Sequence, residues 1–325
     1  MYESFYGLTA RPFQLNPDPR FFFASRGHRR AMAYLEYGLS QGEGFIVITG
    51  DVGAGKTMVI RNLFQTLAEE KIVAAHLVST QLDADDMLRV VAAGFGLEHQ
   101  GATKAALLHD LESFLLAVLR QGQRALLVVD EAQNLTPRAV EELRMLSNFQ
   151  AGDRPLLQSF LLGQPEFRYT LQSEALLQLR QRVIASYHLG PMEADETRAY
   201  IEHRLHTAGW NADPVFADEC FAVIHEHTGG VPRRINTLCD RLLLFAYLES
   251  LHQLDGPAVG EIIGELTEET SLPAGPAPAS RLAPASPVPD RLEGQLQDID
   301  RTLRQLVTLA RRLLFRASGS ATEGA

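Results

Sequence analysis

The sequence predicts an α/β protein, with a parallel sheet covered by helices on both faces, then a small all-helical domain, then a linker and a last helix. Three observations lead there. β-Branched apolar runs alternate with helix-period segments up to about residue 192, the pattern of crossover-connected parallel strands. One run ends in "GDVGAGKT" (50–57), a glycine-rich turn opening a helix, and another, "RALLVVDEAQ" (124–133), ends in paired carboxylates.

The elements follow in order. Residues 1–40 are an aromatic lead-in broken by Pro12, Pro17 and Pro19, closing on a helix from about His28 to Leu39 with Met32, Leu35 and Leu39 on one face. "GEGFIVITG" reads as a buried strand, and a helix is expected from Gly55 or Lys56 to about Glu70. "IVAAHLVS" (72–79) is the next strand, followed by helices over 84–95 and 103–121. Thr136-Pro137 supplies a cap and a first-turn proline for a helix running to about Asn148. "PLLQSFLLGQ" (155–164) and "VIASYHL" (183–189) complete the strands.

From 193 to 267 the sequence reads as four helices, separated near Trp210-Asn211, Gly229-Gly230 and Asp255-Gly256. The expected domains are therefore an α/β domain over 1–192, lead-in included, and a helical domain over 193–270. "SLPAGPAPASRLAPASPVP" (271–289) is a linker unable to build a core. In 290–316, Leu292, Leu296, Ile299, Leu303, Leu306, Ala310 and Leu313 form a heptad seam, and 317–325 reads as a disordered tail. The seam suits self-association or a partner helix first. Arg304, Arg311, Arg312 and Arg316 permit contact with an anionic membrane surface second.

Composition narrows the function. Forty acidic residues face thirty basic ones, for a net charge of −10, which disfavours nucleic acid as a partner. Cys220 and Cys239, both in helical segments, are too few for a disulfide framework and read as buried thiols. No run reaches the roughly 18 apolar residues of a membrane span, and Glu3 and the early prolines do not suit a signal peptide, so the expected compartment is the cytoplasm.

"GDVGAGKT" fits G-x-x-x-x-G-K-[ST] between a strand and a helix, the context in which that pattern is a phosphate-binding P-loop. Gly50, Asp51, Val52, Gly53, Ala54, Gly55, Lys56, Thr57 and Met58 are the candidate nucleotide contacts. Backbone N–H groups would surround phosphate oxygens, Lys56 would neutralise them, and Thr57 would ligate Mg²⁺. Asp130, at the carboxyl end of its strand, is the second candidate Mg²⁺ residue, and Glu131 is placed to activate water. The expected cofactors are ATP and Mg²⁺. His203, His206, His225 and His227 read as surface or capping residues rather than a metal cluster.

With "LLGQPEF", "LRQRV" and "TGGVPRRINTLCDR" added, residues 1–267 resemble an AAA+ ATPase of the general-secretion A (ExeA/GspA) type. The opening "FYGL…RPFQLNPDPRFFFAS…H" resembles more narrowly the ATPase associated with exosortase (XrtA/PEP-CTERM) and exopolysaccharide loci. The resemblance implies a P-loop NTPase of the AAA+ class whose helical domain is a lid. It implies Gln164 as the first sensor, Arg233 as the second sensor beside Arg234, and an arginine finger at Arg182 or, in competition, Arg180. It also implies an ATP-dependent homo-oligomer serving export or polysaccharide-secretion components, with possible contact at the periphery of the inner membrane. Two alternatives share this core: a DNA-associated transposition helper and a slow nucleotide-gated scaffold. Phe21–Phe23 are expected to pin the lead-in to the ATPase core, with Phe5 or Tyr6 and His28 on the adenine side.

Overall fold

The computed structural model describes residues 1–67, 71–78 and 83–271. The linker beyond residue 271, the heptad helix at 290–316, the tail at 317–325 and the expected end of the first post-loop helix near Glu70 lie outside the described residues.

A short helix α1 (Tyr2–Phe5) opens the chain, and α2 (Arg26–Gln41) precedes β1 (Phe45–Gly50). Then come α3 (Lys56–Leu67), β2 (Ile72–Val78), α4 (Ala84–Gly94), α5 (Lys104–Arg120), β3 (Arg124–Asp130) and α6 (Pro137–Leu146). A hairpin of β4 (Gln150–Ala151) and β5 (Arg154–Pro155) leads into β6 (Leu157–Gly163), α7 (Pro165–Gln172), α8 (Leu177–Arg180) and β7 (Val183–Leu189). The helical part holds α9 (Ala194–Thr207), β8 (Val215–Phe216), α10 (Asp218–Thr228), α11 (Pro232–Leu248), β9 (Gln253–Leu254) and α12 (Gly256–Ser271).

Local chemistry explains the boundaries. Ser25 caps α2 by accepting from His28 N at 3.2 Å, and Gly42 ends it in the left-handed conformation. Thr136 caps α6 by accepting from Ala139 N, with Pro137 in the first turn.

The strand order is β2-β3-β6-β1-β7, parallel throughout. β6 therefore lies between the strand ending in the P-loop and the strand ending in Asp130. Alternate residues of the central strands feed opposite cores, as a two-residue period requires. Phe45, Val47, Leu127, Val129 and Leu161 pack with α4, α5, α6 and α7, whereas Ile46, Ile48, Leu126, Val128, Phe160 and Leu162 pack with α2 and α3. Both faces are covered, which is why these strands read as unbroken apolar runs.

The third core belongs to the helical part, and two features there depart from expectation. Val215 and Phe216 pair with Gln253 and Leu254, so a two-residue parallel ladder ties the helices where none was expected. The sequence reading also groups the whole lead-in with the sheet. Tyr2, Tyr6, Leu8 and Phe13 instead join Ile201, Leu205, Leu238, Leu242 and Leu243 in the helical core. Aromatic side chains carry large buried area, and Tyr2, Tyr6 and Phe13 add theirs to a core that already holds Tyr200, Phe216 and Phe221.

Candidate nucleotide site

β1 ends at Gly50, the chain turns through 51–55, and α3 starts at Lys56, so the first N–H groups of α3 face the loop. Gly53 and Gly55 have φ of +84° and +101°. Their missing side chains matter as much as their dihedrals. A Cβ at Gly53 would lie 2.3 Å from Arg233 Cβ, and one at Gly55 would lie 2.5 Å from His28 Nε2. The loop is thus packed from both sides, by α2 beneath and by α11 above.

Lys56 is buried, and its Nζ donates to the carbonyls of Gly50 at 2.7 Å and Asp51 at 3.0 Å. Burial pushes its pKa down, while the carboxylates of Glu131, Asp130, Asp51 and Glu166 pull it back up. Thr57 Oγ1 donates to Asp130 Oδ2 at 2.8 Å, and Asp130 Oδ1 accepts from Glu131 N at 2.9 Å. Asp130 is itself buried. A hydroxyl and a buried carboxylate meeting at the mouth of a phosphate-shaped loop are the oxygen donors Mg²⁺ prefers, so these residues fit that ion.

Glu131 stands in the left-handed region at φ 55°, which for a residue with a side chain costs about 1–2 kcal/mol. That turn breaks β3 off into the short 3₁₀ segment Ala132–Asn134 and sets Glu131 on the wall of the cleft. Its Oε2 accepts from Gln133 Nε2 at 2.5 Å and from Gln164 Nε2 at 3.2 Å. Gln164 follows β6, next to β3 in the sheet, and so the adjacent strand order brings the two together.

Arg233 begins α11 after Pro232, and its backbone N donates to Gly53 O at 3.2 Å. Its side chain lines the same cleft as the P-loop, whereas Arg234 lies outside this cleft. The cleft encloses 350 Å³, at the small end of ligand pockets. Residues 14–18 of the lead-in form one wall, and Tyr200, Arg204 and Asn236 of the helical part form another.

Sequence reasoning singled out the lead-in stretch that holds residues 14–18, but not the wall of Tyr200, Arg204 and Asn236, nor Gln133. Arg204 is buried on α9 and reaches back across the chain. Nε donates to Pro12 O at 2.5 Å, Nη2 to Gln14 O at 3.2 Å, and Nη1 to the Tyr200 hydroxyl, which donates to Asn236 Oδ1 at 2.8 Å. The guanidinium also stands 5.0 Å from the centre of the Phe21 ring. An arginine on the apolar side of a predicted helix was the available signal.

The triple phenylalanine is divided. Phe21 lies under Arg204, Phe22 packs edge-on to His28 at 5.8 Å, and Phe23 packs against Tyr200 and His203. The three join the lead-in to α9 and α2, so the packing expected to pin it to the ATPase core reaches the helical part as well as the P-loop side. Phe5 and Tyr6 are away from the cleft, against Tyr247 and His252 of the helical part. His28 sits beneath Gly55 and bonds Ser25 Oγ through Nδ1 at 2.6 Å, so it supports the loop from below instead of facing a base. Burial holds its pKa down at about 4.

Arg182 and Arg180 do not enter this cleft. The carbonyl of Arg182 accepts from Phe45 N, at the opposite end of β1 from the P-loop, about 20 Å away along an extended strand. Its guanidinium donates to Ser147 Oγ at 2.6 Å and to Asn148 Oδ1. Arg180 is exposed and reaches the carbonyl of Gln172 at 3.4 Å. Among the histidines of the helical part, His225 bonds Thr197, His206 bonds the Glu202 carbonyl and His203 lies against Phe23.

Residues 39–171 match the AAA domain family. Over 255 residues the chain is 40% identical to general secretion pathway protein A of Aeromonas hydrophila, covering 78% of this chain and 46% of that protein. The chain carries an AAA domain, within a stretch similar to general secretion pathway protein A. It spans about half the length of that relative. Among solved structures, it is similar to the ORC2 protein of Aeropyrum pernix at a TM-score of 0.61 and 18% identity, covering 78% of this chain and 71% of that one. Cdc6p of Pyrobaculum aerophilum gives 0.60 and 14%, covering 78% and 70%. At those identities the likeness is one of fold, a P-loop NTPase of the AAA+ class with a helical part after the sheet. Among the described residues, no helix is long and apolar enough to cross a membrane.

Proposed function

We propose that this chain is an ATPase that converts nucleotide binding and hydrolysis into a switch within an envelope-associated export system. The observation that carries the reading is the contact of Thr57 with Asp130, with Glu131 on the wall of the same cleft and the lid residue Arg233 seated on the loop. In this reading the backbone of 53–57 and Lys56 hold the phosphates, and Thr57 and Asp130 hold Mg²⁺. Bound there, Mg²⁺ supplies charge neutralisation for the phosphate oxygens.

Glu131 takes a proton from water as the water oxygen bonds the γ-phosphorus. The bond to the β–γ bridging oxygen breaks, leaving ADP and phosphate. General-base assistance of this kind contributes about 10²–10⁴-fold. Gln164 steadies Glu131, and Arg233 reports the γ-phosphate to the lid. Arg182, placed far from its own P-loop, acts in a neighbouring copy, which makes the working form an ATP-dependent homo-oligomer. Arg180 is the alternative finger.

The likeness to general secretion pathway protein A supports an export role. The lead-in motif supports the narrower reading of exosortase-linked protein sorting and exopolysaccharide secretion. Such a protein works from the cytoplasmic face of the inner membrane, with partners engaged through the expected helix at 290–316. Phosphate release tests the enzymatic reading. Wild type should release phosphate from Mg·ATP, whereas Glu131→Gln and Arg182→Ala alone should not. Mixing those two variants should recover a fraction of the activity, because one supplies the finger and the other the base. No recovery on mixing would contradict the finger in trans, and no release by wild type would contradict the ATPase.

A further inference from the structure

Glu131 is held by a side-chain bracket whose orientation is determined by its own bonds. Gln164 N donates to Gln133 Oε1 at 2.9 Å, which identifies that atom as the oxygen. The other end of the Gln133 amide must then be the NH₂ group, and it donates to Glu131 Oε2 at 2.5 Å. Gln164 Nε2 donates to the same oxygen at 3.2 Å. One carboxylate oxygen therefore has two amide donors, while Oε1 has no hydrogen-bond partner among the described residues. The bracket spans the end of β3 and the start of α7, so its geometry depends on the β3–β6 pairing. It also braces a residue whose backbone is in the left-handed region, where an unsupported side chain would let the turn relax.

We infer that Gln133 is a positioning residue, holding Glu131 with one oxygen bonded and the other presented to the attacking water. This rests on the ATPase reading above. The Gln133 side chain bonds Glu131 and the backbone of Gln164, and it is not among the residues lining the cleft, so it acts through Glu131. Orientation is worth much in such a step, because loss of alignment at the reacting atoms lowers rates by about tenfold to a hundredfold.

Two near-isosteric substitutions separate positioning from structure. Gln133→Met removes both halves of the bracket. Gln133→Glu keeps the acceptor toward Gln164 N but sets a second carboxylate against Glu131 Oε2, and two carboxylates that close share a proton. Lys56 interacts electrostatically with Glu131, Asp130, Asp51 and Glu166, and Arg233 and Arg204 line the same cleft as Glu131; neither substitution changes any of these residues.

The experiment measures kcat against pH, KM, and Mg·ATP affinity by a fluorescent nucleotide analogue, on the full chain. Expected for Gln133→Met is a tenfold or greater fall in kcat with nucleotide affinity within about twofold of wild type. Expected for Gln133→Glu is a shift of the acid limb of the kcat profile upward by at least about one pH unit. Wild-type turnover with both variants at wild-type kcat and an unmoved profile would overturn the role of Gln133 alone. A fall in kcat matched by an equal loss of affinity, with the acid limb unmoved, would mark a structural residue and overturn it too. Wild-type turnover no faster than Glu131→Gln would overturn the inference together with the ATPase reading.

Discussion

The hydroxyl of Thr57 donates a 2.8 Å hydrogen bond to Oδ2 of Asp130, although β6 separates the strands that deliver them. The sheet thus brings two residues 73 positions apart to one point at the carboxyl edge, where ligands of parallel sheets collect. Replacing Asp130 with Asn keeps the shape and removes the charge. ATP affinity with Mg²⁺ should fall by about 10–100-fold, with little change in chelator. Titration of a fluorescent ATP analogue with and without Mg²⁺ checks this, and equal losses under both conditions would count against Asp130 as a metal residue.

Gly53 is required by the contact with α11 as much as by the loop. Gly53→Ala should destabilise the protein by about 1–3 kcal/mol and weaken nucleotide binding, because its Cβ would meet Arg233 Cβ at 2.3 Å. Gly152 also has positive φ, but a Cβ there would meet nothing within 4 Å. Gly152→Ala should then show only the smaller backbone penalty and unchanged ATP affinity. Thermal melts and nucleotide titrations on the two variants make the comparison.

Much of this was legible because it is local. The P-loop is eight consecutive residues, the buried strands are unbroken apolar runs, and Thr136-Pro137 announces α6 by itself. What escaped is non-local. The Gln133–Gln164 pair joins residues 31 apart, and Arg204 meets Pro12 across 192 positions. Neither spacing has a period to detect. The placement of Phe5 and Tyr6 failed for a related reason: an aromatic before a P-loop can pack on either part, and only tertiary contacts choose. The ladder of β8 with β9 is two residues long, below any sequence signal.

Arg204 should be irreplaceable by another cation. Its planar fork serves two lead-in carbonyls and Tyr200 at once, which an ammonium cannot reproduce. Arg204→Lys should lose about 2–4 kcal/mol of stability, nearly as much as Arg204→Met. Denaturant titration measures the loss, and limited proteolysis should show faster cleavage within residues 1–25 in both variants. Wild-type stability in Arg204→Lys would contradict the fork.

His28 gives the fold a defined acid sensitivity. Its folded pKa of about 4 lies below the 6.5 of the unfolded chain, so the unfolded state binds more protons between those values. Its contribution is complete above pH 6.5 and lost as pH falls toward 4, on the order of 3 kcal/mol in all. Unfolding free energy measured from pH 7 to pH 4.5 should fall less steeply in His28→Gln than in wild type. Parallel curves would place the acid sensitivity elsewhere.

The central claim is that Glu131 activates water in a site able to bind ATP without it. Its most direct test is a single turnover with excess protein, analysing the bound nucleotide of wild type and Glu131→Gln over time. The account predicts ADP accumulating on wild type and intact ATP retained on Glu131→Gln at wild-type affinity, with hydrolysis slower by about 10² or more. Equal rates of ADP formation in the two proteins would contradict it.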